Sequence, residues 1–102
     1  MTSRRDTLGA AAIRRTKIIE CLQPFYEVDM NDATAPYGMT CYGLADKLGR
    51  NQSHVYQDIK WLEENSYIKI IGKRHATGKT DARAKMNIYM LTNRGRAALN
   101  NH

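Results

Sequence analysis

Apolar positions recur along this chain first with a helical period and then with a strand-like one, and the switch falls near residue 66. From about Thr7 to Gln23, the residues Leu8, Ala11, Ala12, Ile18, Ile19 and Leu22 fall on one stripe of a segment rich in helix formers. Asp6 or Thr7 can cap that helix, and Pro24 stops it. Residues 24–39 break both periods at Asp29, Asn31, Asp32, Pro36 and Gly38. They read as a loop long enough to hold a turn of its own. A second helix is predicted over Cys41–Leu48, capped by Thr40, with Leu44, Ala45 and Leu48 on its apolar side and Gly49 as its stop. After only Gly49-Arg50-Asn51 a third helix runs from Gln52 to Asn65. Asn51 caps it, and Val55, Ile59 and Leu62 recur at i, i+4 and i+7. Two helices around so short a turn form a helix-turn-helix arrangement.

Beyond residue 66 the pattern changes. Tyr67–Arg74 and Ala84–Leu91 are rich in β-branched and aromatic residues with partial alternation. Between them, His75–Ala82 is a polar, mostly basic tip containing Gly78, so the pair predicts a β-hairpin. Thr92 caps a short last helix, Asn93 to about Leu99. The order helix, helix, helix, strand, strand, helix is an α+β fold, mainly α. At 102 residues it fits one domain spanning 1–102.

Composition narrows the function classes. The longest strongly apolar runs, Ile68–Ile71 and Ile88–Leu91, are too short to cross a bilayer. Ala10–Ile13 is too short for the core of a signal peptide, which predicts a cytoplasmic protein. Cys21 and Cys41 lack a paired C-x-x-C neighbour. A set of Cys21, His54 and His75 has no zinc-ligand spacing either, so free thiols and no metal or cofactor are expected. Gly78-Lys79-Thr80 resembles the end of a phosphate loop, but Lys73 stands where its first glycine belongs. With no nucleophile–base or paired-carboxylate set in view, catalysis is not expected.

The net charge of +6 is unevenly distributed. Residues 1–17 carry five basic groups and one acid, residues 18–66 three and eight, and residues 67–102 eight and one. The ends of the chain are therefore positive and the middle acidic, a segregation that attracts a phosphate backbone.

On a wheel anchored at Val55, the outward side of the third helix's first two turns holds Gln52, Ser53, His54, Tyr56, Gln57 and Lys60, with Asn51 just before them. These are hydrogen-bonding groups with no acid among them. Gln57 suits adenine, Lys60 guanine or a phosphate, and Tyr56 a thymine methyl or a phosphate. The acids Glu63 and Glu64 lie at the far end, so the arrangement suits a recognition helix entering the major groove by its N-terminal half. Thr40 and Tyr42, at the start of the second helix, are candidates for phosphate contact.

The run from Leu44 to Ile68, Leu-Ala-Asp-Lys-Leu-Gly-Arg-Asn-Gln-Ser-His-Val-Tyr-Gln-Asp-Ile-Lys-Trp-Leu-Glu-Glu-Asn-Ser-Tyr-Ile, resembles the core of winged-helix repressors. The arsenic-repressor and multiple-antibiotic-resistance-regulator families are nearest in pattern. Leu91-Thr-Asn-Arg-Gly-Arg is similar to the Leu-Thr-x-x-Gly-Arg segment of the antibiotic-resistance and phenolic-acid regulators. The resemblance spans residues 40–99, with Ser66 standing where these families usually place glycine. It implies a winged helix-turn-helix: a three-helix core, a two-stranded wing over residues 73–85, a short C-terminal helix and a basic N-terminal arm at residues 1–6. On this reading Lys73, Arg74, His75, Lys79, Arg83 and Lys85 put the wing on the DNA backbone or in the minor groove, and the protein is a small transcriptional regulator of double-stranded DNA. The regulators' long dimerising helices are missing; a homodimer through the first and last helices stays open as a partner, without a sustained heptad to support it, and no small-molecule effector site stands out.

Two other readings keep the fold and change the partner. A protein-interaction module would need an exposed apolar patch, for which Trp61 and Tyr67 are the candidates. RNA is a third partner that charge alone does not separate from DNA.

Overall fold

The structure is a computed structural model that describes residues 11–25, 34–77 and 85–100. Within them, four α-helices and a three-stranded sheet make an α+β fold that is mainly helical. Helix α1 (Ala12–Leu22) buries Ala12, Ile18, Ile19 and Leu22, the stripe expected of it. The anticipated start at Thr7, with Leu8 and its cap, lies outside the described residues. Past Leu22 the chain tightens into a 3-10 turn, Gln23–Phe25, because Pro24 has no N–H to continue the α-helical ladder.

The stretch from 24 to 39 is not a plain loop. Thr34–Pro36 forms strand β1, and Tyr37–Met39 forms a second 3-10 turn that leads directly into helix α2 (Cys41–Leu48). Thr40 caps α2 by accepting the Gly43 N–H at 3.0 Å. Gly49 ends it at φ +63°, letting the Arg50 N–H reach the Ala45 carbonyl at 3.0 Å. Helix α3 (Gln52–Glu64) begins as expected, with Asn51 Oδ1 accepting the Ser53 N–H at 2.9 Å.

The end of α3 explains the chain's turn into the sheet. Asn65 is its last cap residue, Ser66 takes a left-handed φ of +67°, and two bonds close behind them. The Ser66 N–H donates to the Glu63 carbonyl at 3.0 Å and the Tyr67 N–H to the Leu62 carbonyl at 2.8 Å. That pair of bonds defines a Schellman ending, a position that favours glycine. Its usual hydrophobic contact is present as the stacked rings of Trp61 and Tyr67, with centroids 5.9 Å apart.

Strands β2 (Ile68–Thr77) and β3 (Lys85–Leu91) pair antiparallel from Ile68 opposite Leu91 to His75 opposite Lys85, with a bulge between Ile70 and Gly72. The first strand is longer than expected. His75, Ala76 and Thr77, assigned from the sequence to the tip, belong to β2 because they pair in parallel with Thr34, Ala35 and Pro36. The sheet order is β1-β2-β3, so Pro36 sits on an edge strand, where a missing donor is tolerated. Helix α4 (Asn93–Asn100) closes the chain, with Thr92 Oγ1 accepting the Gly95 N–H at 3.1 Å.

One apolar core joins these elements. Ile18, Ile19, Leu22, Met39, Leu44, Val55, Ile59, Leu62, Tyr67, Ile68 and Ile88 are each fully buried, or nearly so. Each such side chain contributes about 1.5–3 kcal/mol of transfer free energy. That core holds α3 against the sheet on one side and against α1 on the other, which leaves the rest of α3 outward.

Candidate nucleic-acid interface

Helix α3 turns about 100° per residue, so its burial sorts its side chains into faces. Val55, Ile59 and Leu62 point inward, while Asn51, Gln52, Ser53, His54, Tyr56, Gln57 and Lys60 are all exposed. The structure therefore presents every residue expected on the outward face. Within that face Asn51 Oδ1 is occupied by the Ser53 backbone and by the Ser53 hydroxyl, at 2.9 and 2.7 Å. Gln52, His54, Tyr56, Gln57 and Lys60 have no such local tie among the described contacts, and they set the chemistry of the surface.

The two flanks of α3 are built differently. Tyr56 and Glu63 lie on the sheet side, close enough to Tyr89 of β3 to act on its phenol electrostatically. Burial, ahead of that, pushes the Tyr89 pKa up, while a hydrogen bond from Asn87 draws it down. Alternation along β3 puts Lys85 and Asn87 on the same face as Tyr89, and their cross-strand partners His75 and Lys73 share it. Lys73, His75 and Lys85 are exposed, so this part of the ribbon carries a basic face on the Tyr56 side of the helix. Lys79, Arg83 and the basic arm at residues 1–6 lie outside the described residues.

Two expected contacts need correction. Arg74 was grouped with the wing cations, but it is 4% exposed and its Nη1 donates to the Thr34 carbonyl at 3.4 Å. Alternation turns it to the covered face of the sheet, where it links β2 to β1. Thr40 was assigned a phosphate contact, but it is fully buried. Its hydroxyl donates to the Tyr37 carbonyl at 2.7 Å while accepting from Gly43, so it is a structural cap. Tyr42 beside it is 48% exposed and remains outward.

The other flank of α3 was not foreseen. Asp58 is buried, and three arginines converge on it. Arg14 Nε and Arg50 Nη2 donate to Oδ2 at 3.2 and 3.1 Å, and Arg15 Nε lies 3.9 Å from Oδ1. The sequence did hold a signal: Asp58 is three residues past Val55 and next to Ile59, an acid on an apolar stripe. An acid there needs a cation to be buried at all. Arg15 also lies over the Trp61 ring at 3.7 Å, and Arg94 over the Tyr67 ring at 4.4 Å. The two aromatics proposed as an exposed apolar patch are thus stacked on each other and covered by guanidinium groups, with Tyr67 1% exposed.

Away from this surface, a largely apolar cavity of about 460 Å³ lies between α1 and α2, lined among others by Cys21, Phe25, Tyr37, Leu44 and Lys47. None of the expected DNA-contacting residues lines it. Cys21 and Cys41 are free, and burial pushes both thiols up, so they are held protonated. Among the described residues no helix is long and apolar enough to cross a membrane, and no three metal-ligating side chains come together. Comparison with protein-family models, with curated proteins and with solved structures returns no match.

Proposed function

We propose that this chain is a winged helix-turn-helix domain that binds double-stranded DNA in a sequence-dependent way, as a small transcriptional regulator. The observation that carries the reading is the outward face of α3. Over its first two turns it is polar, exposed and free of exposed acid, on a helix whose inward side is fixed by the core. Gln57 and Lys60 lie at its centre and supply base readout, and Tyr56 and His54 border it. Lys73, His75 and Lys85, on the β2–β3 ribbon acting as the wing, supply sequence-independent attraction to the backbone. Ser66 gives further support: it takes a left-handed φ of +67° at the position where the repressor families it resembles usually carry glycine.

The test is duplex binding over a salt series. Affinity is expected to fall steeply with salt, as each neutralised phosphate releases counterions. Gln57→Ala and Lys60→Ala should each weaken preferred sites by about 1–3 kcal/mol while leaving random duplex little changed. Unchanged affinity and site preference in both variants would remove α3 as the reader. A module that binds only another protein would show no duplex binding even at low salt.

A further inference from the structure

The cluster at Asp58 holds more positive charge than its one carboxylate needs. A buried carboxylate is satisfied by a single well-placed guanidinium, yet here Arg14, Arg15 and Arg50 all lie within 3.9 Å of it. Arg14 and Arg50 alone bring two positive charges to one negative, a formal excess of one among the described residues. Burial is what chiefly lowers the Arg15 pKa; Asp58 pulls it up, and Arg14, the smallest influence, pulls it down. Arg50 Nη1 is buried with no hydrogen-bond acceptor among the described residues, so the cluster also has a donor left over. Arg15 has a second role over the Trp61 ring, so Arg14 and Arg50 are the pair that brings more charge to Asp58 than its burial needs.

The cluster is also well placed. Asp58 and Trp61 lie on the α1 side of helix α3, opposite the Tyr56 and Glu63 flank that meets the sheet. On the helical wheel the neighbours of Asp58 and Trp61 on the outward side are His54 and Gln57. Arg50 immediately precedes the Asn51 cap. Arg14 keeps more than half of its side chain exposed, at 55%, while its Nε is fixed on Asp58. The major groove is about 12 Å wide and is walled by phosphates on both sides of an inserted helix. The ribbon with Lys73 and Lys85 lies on one side of α3, and the arginine cluster lies on the other.

We infer that Arg14 and Arg50, oriented by the buried Asp58, form a clamp for a backbone phosphate of duplex DNA on the side of α3 opposite the wing. The inference rests on the DNA-binding reading above. It makes Asp58 a positioning residue, an acid that strengthens binding to a polyanion. Bulk charge would give the opposite sign, since removing Asp58 raises the net charge from +6 to +7.

The experiment compares the full chain with Arg14→Gln, Arg50→Gln and Asp58→Asn on one duplex across a salt series, with folding of each variant followed by the fluorescence of Trp61. The wild-type chain binds with a steep salt slope. Arg14→Gln, a change at a half-exposed position, melts like wild type. It lowers the slope by about 0.9 and, at 0.1 M monovalent salt, weakens binding about eightfold, the share of one phosphate contact. Asp58→Asn, where it folds, also weakens binding; where it does not fold, Arg14→Gln and Arg50→Gln decide the matter. Wild-type binding with an unchanged slope in both arginine variants overturns the clamp and leaves the DNA reading standing. Tighter binding by a folded Asp58→Asn overturns the positioning role. Absence of wild-type binding to any duplex at low salt removes the DNA reading, and the clamp with it.

Discussion

Replacing Ser66 by glycine should stabilise this protein, although the change removes side-chain atoms and adds no contact. Ser66 sits at the left-handed position of the Schellman ending of α3, with φ +67°. An L-residue held there carries about 1–2 kcal/mol of steric cost from the approach of Cβ to the backbone, and glycine carries none. Against this, glycine loosens the unfolded chain, which costs about 0.4–1 kcal/mol. The two bonds that define the turn, Ser66 N–H to Glu63 and Tyr67 N–H to Leu62, are backbone bonds and survive the change. So does the bond from Thr92 Oγ1 to the Ser66 carbonyl at 2.5 Å. Net stabilisation of about 0.5 kcal/mol follows from these terms. With a urea slope near 1.5 kcal/mol/M, the midpoint should rise by about 0.3 M. Trp61 reports the transition, because its ring stacks on Tyr67 at this very turn. Ser66→Val is the control: a β-branched side chain at positive φ should lower stability by about 1 kcal/mol or more. The reasoning is refuted if Ser66→Gly loses stability while Ser66→Val is neutral, since that would mean the turn is not left-handed in solution.

Two further outcomes follow from packing and burial. At Gly43 a Cβ would lie 1.9 Å from the Tyr37 carbonyl oxygen, so Gly43→Ala should push α2 off the preceding 3-10 turn. A loss of about 1–3 kcal/mol is expected by urea denaturation, and an unchanged midpoint would contradict the close approach. Stability should also fall at alkaline pH. Burial raises the pKa of Cys21, Cys41 and Tyr89, so the unfolded chain releases these protons at lower pH than the folded one. Their contribution is intact below the ordinary thiol range and is lost as pH rises through the folded-state values. The urea midpoint should be level up to about pH 8 and decline by about pH 10, less so in a Cys21→Ala, Cys41→Ala variant. A level midpoint throughout would exclude buried, protonated thiols.

Helices α2 and α3 could be read from the sequence nearly to the residue. Their boundaries are set by local chemistry: the Thr40 and Asn51 caps and the left-handed Gly49 act within one turn of where they stand. The outward face of α3 was legible for the same reason, since period alone separates Val55, Ile59 and Leu62 from Gln57 and Lys60. Strand β1 was not, because three residues ending in proline show no alternation, and Thr34–Pro36 becomes a strand only through partners some forty positions away. Arg74 and Asp58 were misjudged or passed over from a related cause. A charge run in a sequence does not say which of its members a long-range partner has drawn inward. Arg74 is turned in by β1, and Asp58 is made tolerable by arginines on α1 and in the α2–α3 turn.

The parallel pairing of β1 with the far half of β2 also has a mechanical meaning. A bare two-stranded ribbon, bent at Gly72 where φ is +133°, would swing about that point like a lever on a hinge. Here Thr34–Pro36 braces it beyond the hinge, and Arg74 fastens the brace from the covered side. Lys73, His75 and Lys85 are therefore carried on a backbone held at a set angle to α3. Fixing the backbone of one residue costs about 1–2 kcal/mol of conformational entropy. For the braced residues, that loss is taken during folding.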